Sequence, residues 1–100
     1  MEFFAILMLL ASQPALNCPD QGEDPGAAIT TAADAVEVAL PALRDEFGDE
    51  RVAKHQPYVA RRDGNLWVVA GTSPPRTRGG TPEAVVCSTN SEVLRVFHTQ

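Results

Sequence analysis

Histidine and cysteine are scarce in this chain of 100 residues, which has two of each. Neither Cys18 nor Cys87 has a Cys or His neighbour at the spacing of a zinc site. Neither His55 nor His98 lies in a motif that marks a catalytic base or a metal ligand. Calcium loops, Gly-Lys-Ser phosphate loops and nucleophile elbows are also missing from the sequence. The residues therefore predict no metal, no cofactor and no enzyme active site.

The two cysteines could pair with each other if the protein reached an oxidising compartment. Cys18 opens a stretch rich in proline, glycine and acidic residues that we expect to be loose, whereas Cys87 lies near the end of an expected strand. We therefore expect two unpaired thiols. Cys18 would also be the attachment residue of a lipoprotein, but Ala15 and Asn17 depart from the small-residue pattern that precedes a lipidated cysteine.

Basic residues are scarce in the first half of the chain. Residues 1–50 have ten acidic residues and one arginine, and residues 51–100 have three acidic and seven basic residues. The charges are −9 and +4, which sum to the formal net charge of −5. A nucleic-acid-binding protein needs a surplus of Lys and Arg to neutralise phosphates, so this balance argues against one. The uneven charge can orient a charged partner during encounter.

Long apolar runs are absent, and the run Phe3–Ala11 is too short to span a bilayer as a helix, which needs about 20 residues. Its length suits the apolar region of a secretory signal, although no Lys or Arg precedes it. We expect residues 1–17 to be a signal peptide and the protein to be exported, to the periplasm. The alternative is an N-terminal helix or strand that packs on the fold of a cytoplasmic protein.

The next segment, residues 18–30, has the composition of a linker. Thr31 then predicts the start of a helix, because it can cap the backbone N–H of Asp34. Gly48 is placed to end that helix with a positive φ. Pro41 predicts a kink, or two short helices that meet at Leu40. The expected apolar stripe is Ala32, Ala33, Val36, Leu40, Leu43 and Phe47.

Four strands are expected after residue 50. They are Tyr58–Arg61, Leu66–Thr72, Thr81–Ser88 and Glu92–Thr99. The first hairpin turn is expected at residues 62–65, where Gly64 can adopt a positive φ. One helical segment followed by an antiparallel meander predicts an α+β domain over residues 31–100. Both faces of the second strand are apolar, so the face that the helix leaves open needs the curl of the sheet, the N-terminal segment or a partner to cover it.

An ordered set of motifs over about residues 31–98 resembles a family of bacterial immunity proteins from polymorphic toxin systems. The motifs are Asn65–Thr72 (NLWVVAGT), Pro74-Pro75, Gly79–Val86 (GGTPEAVV), Glu92–Val96 (EVLRV) with His98, Phe47–Glu50 (FGDE) and Gln56–Tyr58 (QPY). The chain departs from the family pattern at Cys87, Ser91 and its last two residues. The resemblance implies the nuclear-transport-factor-2-like fold, a cone-shaped α+β domain in which a helix packs on a curved antiparallel sheet.

The same resemblance implies a non-catalytic protein that binds and neutralises a co-encoded toxin. Two surfaces are candidates for that contact. One is the loop with Pro74, Pro75, Arg76 and Arg78, whose prolines reduce the entropy lost on docking and whose arginines bind acidic groups. The other is the acidic side of the helix, with Asp34, Glu37 and Asp45, which suits a basic toxin. We favour the loop, because any solvated helix has charges of the second kind.

Two other functions stay open on sequence grounds. Proteins of the same fold include small isomerases and dehydratases, and in this chain Tyr58, Asp63 or His98 would have to supply the acid and base groups. The third alternative is an exported envelope protein with another role. An apolar pocket that holds an acid or a histidine would favour the enzyme, and a shallow groove would favour binding.

Overall fold

The computed structural model describes residues 17–74 and 79–99, and the predicted signal peptide lies almost entirely outside this range. A short 3-10 helix, Pro25–Ala27, precedes helix α1, Ala32–Phe47, and helix α2, Asp49–Lys54. Four strands follow: β1, Val59–Asp63; β2, Leu66–Ala70; β3, Pro82–Cys87; and β4, Val93–His98. They form one antiparallel sheet in the order β1-β2-β3-β4. The predicted α+β class is confirmed. No helix in the described ranges is long and apolar enough to cross a membrane.

Helix α1 begins where its capping residue predicts. The Thr31 hydroxyl accepts a hydrogen bond from the backbone N–H of Asp34 at 3.1 Å, and the extended backbone of Thr31 starts the helix. At the other end Gly48 has φ 86°, as expected, and its N–H donates to the carbonyl of Arg44 at 2.8 Å. Its ψ of 153° differs from the left-handed helical conformation. Pro41 lies inside one continuous helix, so the alternative of two helices that meet at Leu40 is wrong.

The buried stripe of α1 is Ala35, Ala39 and Leu43, each with 0% exposure. Val36, Leu40 and Phe47 pack beside it, as predicted, but Ala32 and Ala33 are exposed, so their place in the predicted stripe is wrong. The helix is rich in alanine, and more than one stripe therefore fits its apolar pattern. The stripe that packs on the sheet is the one that contains Ala35 and Ala39, because their small side chains let the helix approach the strands closely.

Strand alternation separates the sheet into two faces. The inner face packs against α1 and α2 and includes Trp67 and Val69 of β2 and Ala84 and Val86 of β3. In the β2–β3 register Trp67 pairs with Val86 and Val69 with Ala84, so these four side chains form the centre of the core. The register of β4 shifts by one residue between Val85 and Val86, which is a β-bulge.

The β1–β2 hairpin turns at Gly64 and Asn65, where Gly64 has φ 59°. Arg62 and Asp63, expected in this turn, belong to β1, where they pair with Trp67 and Leu66. The strand therefore continues further than its composition predicts, because cross-strand pairing up to a two-residue turn overrides the polar character of these residues.

Residues 18–30 are a strap that wraps the end of the sheet, and the expectation of a loose linker is wrong. The strap runs from Cys18, which is bonded to Cys87, to Ile29, which has 3% exposure and lies in the core. The indole N–H of Trp67 donates to the carbonyl of Ile29 at 3.2 Å, and the N–H of Ile29 donates to the carbonyl of Ser88 at 2.7 Å. The strap thus supplies part of the core as well as a covalent tie.

Cys18 and Cys87 form a disulfide with their Cα atoms 5.4 Å apart, and the expectation of two free thiols is wrong. The Thr89 hydroxyl, which donates to the carbonyl of Pro19 at 2.7 Å, lies 3.2 Å from the Cys87 sulfur. The sequence separation of the two cysteines is 69, and in the chain-entropy model a loop of this size stabilises a protein by about 4 kcal/mol. A disulfide-bonded sulfur cannot also form the thioether of a lipid anchor, so the disulfide argues against a lipoprotein.

A matched pair of substitutions tests the position of the helix stripe. We expect Ala39→Asp to cost several kcal/mol, because an unpaired carboxylate would replace a methyl group that is fully buried. Ala33→Asp makes the same chemical change at an exposed position in the first turn, where the helix dipole favours a negative charge. Its effect should stay within about 0.5 kcal/mol. Urea unfolding of both variants measures the difference, and equal losses would show that the stripe is misplaced.

Candidate partner-binding surfaces

The described residues of the predicted contact loop are its two ends. Pro74 is exposed after β2, and Pro75, Arg76 and Arg78 lie outside the described residues. The ends are joined by two hydrogen bonds, from the N–H of Gly71 to the carbonyl of Pro82 at 3.1 Å and from the Ser73 hydroxyl to the carbonyl of Gly80 at 3.4 Å. The loop therefore leaves the sheet from a closed base.

The paired glycines at this base have separate physical roles. Gly79 has φ 96°, a conformation that residues with a side chain rarely adopt. A Cβ atom at Gly80 would overlap the carbonyl and the hydroxyl of Thr99. The Thr81 N–H donates to the hydroxyl of that same threonine at 2.9 Å, which ties the start of β3 to the end of β4. The Gly79-Gly80 pair is therefore explained by the backbone geometry at the base of the loop.

The acidic helix surface consists of Asp34, Glu37 and Asp45, and all three residues are exposed. A helix turns about 100° per residue, so these positions fall within an arc of about 80° on the side opposite the buried stripe. Pro41 lies within the same arc and is also exposed. The surface is thus a solvated row of carboxylates without a large apolar side chain at its centre.

The face of the sheet opposite the helices, which we call the outer sheet face, is apolar at its centre. The register aligns Arg61 with Val68, Val68 with Val85, and Val85 with Arg95, which makes one row across all four strands. A neighbouring row is Val59, Ala70, Glu83 and Phe97. The Arg95 guanidinium lies 4.6 Å from the centroid of the Phe97 ring. Aliphatic groups in the middle of this face are thus flanked by two arginines.

Sequence reasoning missed Arg61 and Arg95 as candidate contact residues. Each is the polar residue at an outward position of a strand, next to the apolar outward positions of β2 and β3. The sequence did indicate part of this surface, because both faces of β2 are apolar and the face opposite the helix therefore has to be covered. What the sequence could not supply is the register that puts both arginines in one row.

The residues of the enzyme alternative do not converge. The Tyr58 hydroxyl donates to the carbonyl of Val52 at 3.0 Å, and burial raises the pKa of this phenol. Asp63 is exposed at the other end of β1, about 16 Å away at the rise of a strand. The His98 ring packs edge-on against Phe47 and His55, with ring centroids 5.9 Å and 6.0 Å away. Tyr58 precedes β1 and His98 ends β4, which are the two edge strands of the sheet. Tyr58 and His98 are thus used in separate structural contacts, and Asp63 lies apart from Tyr58.

A groove of about 410 Å³ lies between the strap and the end of the sheet. Its polar lining includes Asp20, Arg62 and Ser88. Arg62 is held there by a 2.8 Å hydrogen bond from its Nε to the carbonyl of Gly64, and its guanidinium lies 5.4 Å from the centroid of the Trp67 ring. Among residues 17–74 and 79–99, no group of three or more His, Cys, Asp and Glu side chains is placed to hold a metal ion.

Comparison with protein families found one that fits this fold. The family model described as NTF2 fold immunity protein, where NTF2 is nuclear transport factor 2, matches residues 34–100. The match extends from the first turn of α1 through all four strands and agrees with the resemblance over residues 31–98. Comparisons with curated proteins and with solved structures found no match. The helix on a four-stranded antiparallel sheet and the matched range lead to one conclusion: the chain belongs to the family of NTF2-fold immunity proteins.

Proposed function

We propose that this protein binds a cognate toxin and neutralises it by forming a stable complex, without a reaction of its own. The family match over residues 34–100 is the observation that carries this proposal. The separate positions of Tyr58, Asp63 and His98 support a binding role, because a general acid and base must lie within reach of the same substrate. The mechanism is then steric: the bound protein covers the surface that the toxin needs for its activity.

The fold suits a binding protein whose own shape changes little when it docks. The disulfide and the contacts of Ile29 fix the strap to the sheet, and the closed base of the β2–β3 loop limits movement at the opposite end. A surface that is ordered before binding loses less conformational entropy in the complex, so more of the interaction energy appears as affinity.

Export belongs to the same proposal, and the disulfide supports it. Disulfides persist in oxidising compartments such as the bacterial periplasm, whereas cytosolic thiols are kept reduced. Together with the apolar run Phe3–Ala11, the Cys18–Cys87 bond favours a protein that works after export. The toxin that it meets is then one that enters or acts in the periplasm.

Expression with the native N-terminus, followed by fractionation, tests export. We expect a chain that begins near Cys18 in the periplasmic fraction, and we expect its two cysteines to react with an alkylating reagent only after reduction. Intact-mass measurement reads both results at once. A full-length chain in the cytoplasm whose cysteines react without reduction would contradict the proposed compartment.

Co-expression with the product of the adjacent gene tests the binding function. We expect that product to be harmful when expressed alone in the compartment where it acts, and to be harmless and recovered in a stable complex when this protein is present. The same assay should compare the unmodified protein with a variant that lacks the disulfide, Cys18→Ser with Cys87→Ser. The two proteins must be present at equal abundance. Absence of both the complex and the protection would refute the proposed function.

A further inference from the structure

The outer sheet face is less polar than a solvated sheet face should be. Antiparallel sheets with one face in water normally place polar residues at the outward positions. In β2 these positions are Leu66, Val68 and Ala70, and in β3 they include Val85 and Cys87. Two neighbouring central strands are thus apolar on both sides, which is the pattern of a sheet covered on both faces.

The described part of the chain leaves most of this face open. Both helices pack on the inner face, and the core that they form contains none of Leu66, Val68 or Phe97. The strap covers one end, where Cys18 is bonded to Cys87. At the other end Val59 is 60% exposed. Between the two ends Leu66, Val68, Ala70 and Phe97 are half-buried, whereas Val85 is buried with 6% exposure. An aliphatic strip thus remains partly accessible between the strap and the start of β1, mainly through Val59 and the outward side chains of β2.

The charges beside the strip indicate what can cover it. Arg61 and Arg95 flank Val68 and Val85 in one row, and within residues 17–74 and 79–99 neither arginine has a carboxylate partner. The acidic residues of this face, Asp63 and Glu83, stand in the two neighbouring rows. A complementary surface has an apolar middle with carboxylates placed to meet the two guanidinium groups.

A second copy of the chain that is centred on the same row does not have that complement. A two-fold axis through the middle of the row would bring the arginines of one copy against the arginines of the other. Like charges at an interface disfavour the pairing, so the row favours a different protein. Arginine and aromatic residues around a desolvated apolar centre are also typical of the residues that dominate binding energy.

We propose that the outer sheet face is the surface that binds the toxin, and that the toxin presents an apolar patch flanked by carboxylates. The inference rests on the proposed function and names its contact surface. It replaces the β2–β3 loop and the acidic side of α1 as the principal contact, because neither the loop sequence TSPPRTRGG nor the acidic side of α1 contains a Val, Leu or Ile.

A double charge reversal tests the proposal. Arg61→Glu with Arg95→Glu would place like charges against the toxin carboxylates, and we expect binding to weaken by about tenfold or more, mainly through slower association at low salt. The matched control is Arg44→Glu with Arg51→Glu, which makes the same change of net charge at exposed helix positions. We expect it to bind like the unmodified protein. Thermal unfolding of both variants verifies that each is folded.

Two further variants compare the other surfaces in the same assay. They are Arg76→Glu with Arg78→Glu, and the triple reversal of Asp34, Glu37 and Asp45 to lysine. Smaller effects from both would support the outer sheet face, and larger effects from either would overturn it. If the unmodified protein binds the toxin and Arg61→Glu with Arg95→Glu binds equally well, the surface is wrong while the function stands. If the unmodified protein does not bind, both proposals fail.

Hydroxyl-radical footprinting tests the same surface without a substitution. Phe97 and Leu66 should be oxidised in the free protein and protected in the complex, while Val36 on the helix side serves as an internal reference. Sedimentation of the free protein identifies its oligomeric state. Protection already present in a free monomer would show that the chain covers its own face, and protection in a free dimer would show a second copy there. Either result would overturn the proposal.

Discussion

One long helix can cover only one face of a four-stranded sheet, and this limit governs the whole molecule. Helix α1 brings Ala35 and Ala39 against the inner face, where Val69, Ala84 and Val86 are fully buried. The small side chains permit close packing, so one layer of helix completes a core in a short chain. The opposite face of the same strands is also apolar, and no element in the described ranges lies across it. The architecture therefore has one finished core and one largely apolar face, which is the face that we propose binds the partner.

The strap stabilises this arrangement. It begins at the outer sheet face, where Cys18 is bonded to Cys87, passes the end of the sheet, and delivers Ile29 to the inner face beside Trp67. The disulfide reduces the entropy of the unfolded chain, and the backbone bond between Ile29 and Ser88 extends the order of the sheet. A small domain with a thin core depends strongly on such a covalent tie for its stability. Because that tie needs an oxidising compartment, stability and export support each other in the proposed function.

The sequence predicts the elements of this fold far better than its long-range contacts. Thr31 and Gly48 mark the ends of α1 because capping is a local interaction, and Gly64 marks the first hairpin for the same reason. The disulfide escapes prediction because nothing local reveals that Cys18 and Cys87 meet. Alanines are frequent in α1, so periodicity alone cannot choose between stripes. The candidate site depends on register: the apolar character of β2 indicates an uncovered face, but only cross-strand pairing places Arg61 and Arg95 in one row.

The central claim is that protection depends on the outer sheet face, and a scan of every substitution in the chain tests it most directly. Cells that express the toxin select for variants that protect, and a parallel measurement gives the abundance of each variant. The account predicts that substitutions which abolish protection at normal abundance cluster at outward positions of the strands, above all Arg61, Val68, Arg95 and Phe97. A cluster on the acidic side of α1 or in the β2–β3 loop, with those strand positions tolerant, would contradict it.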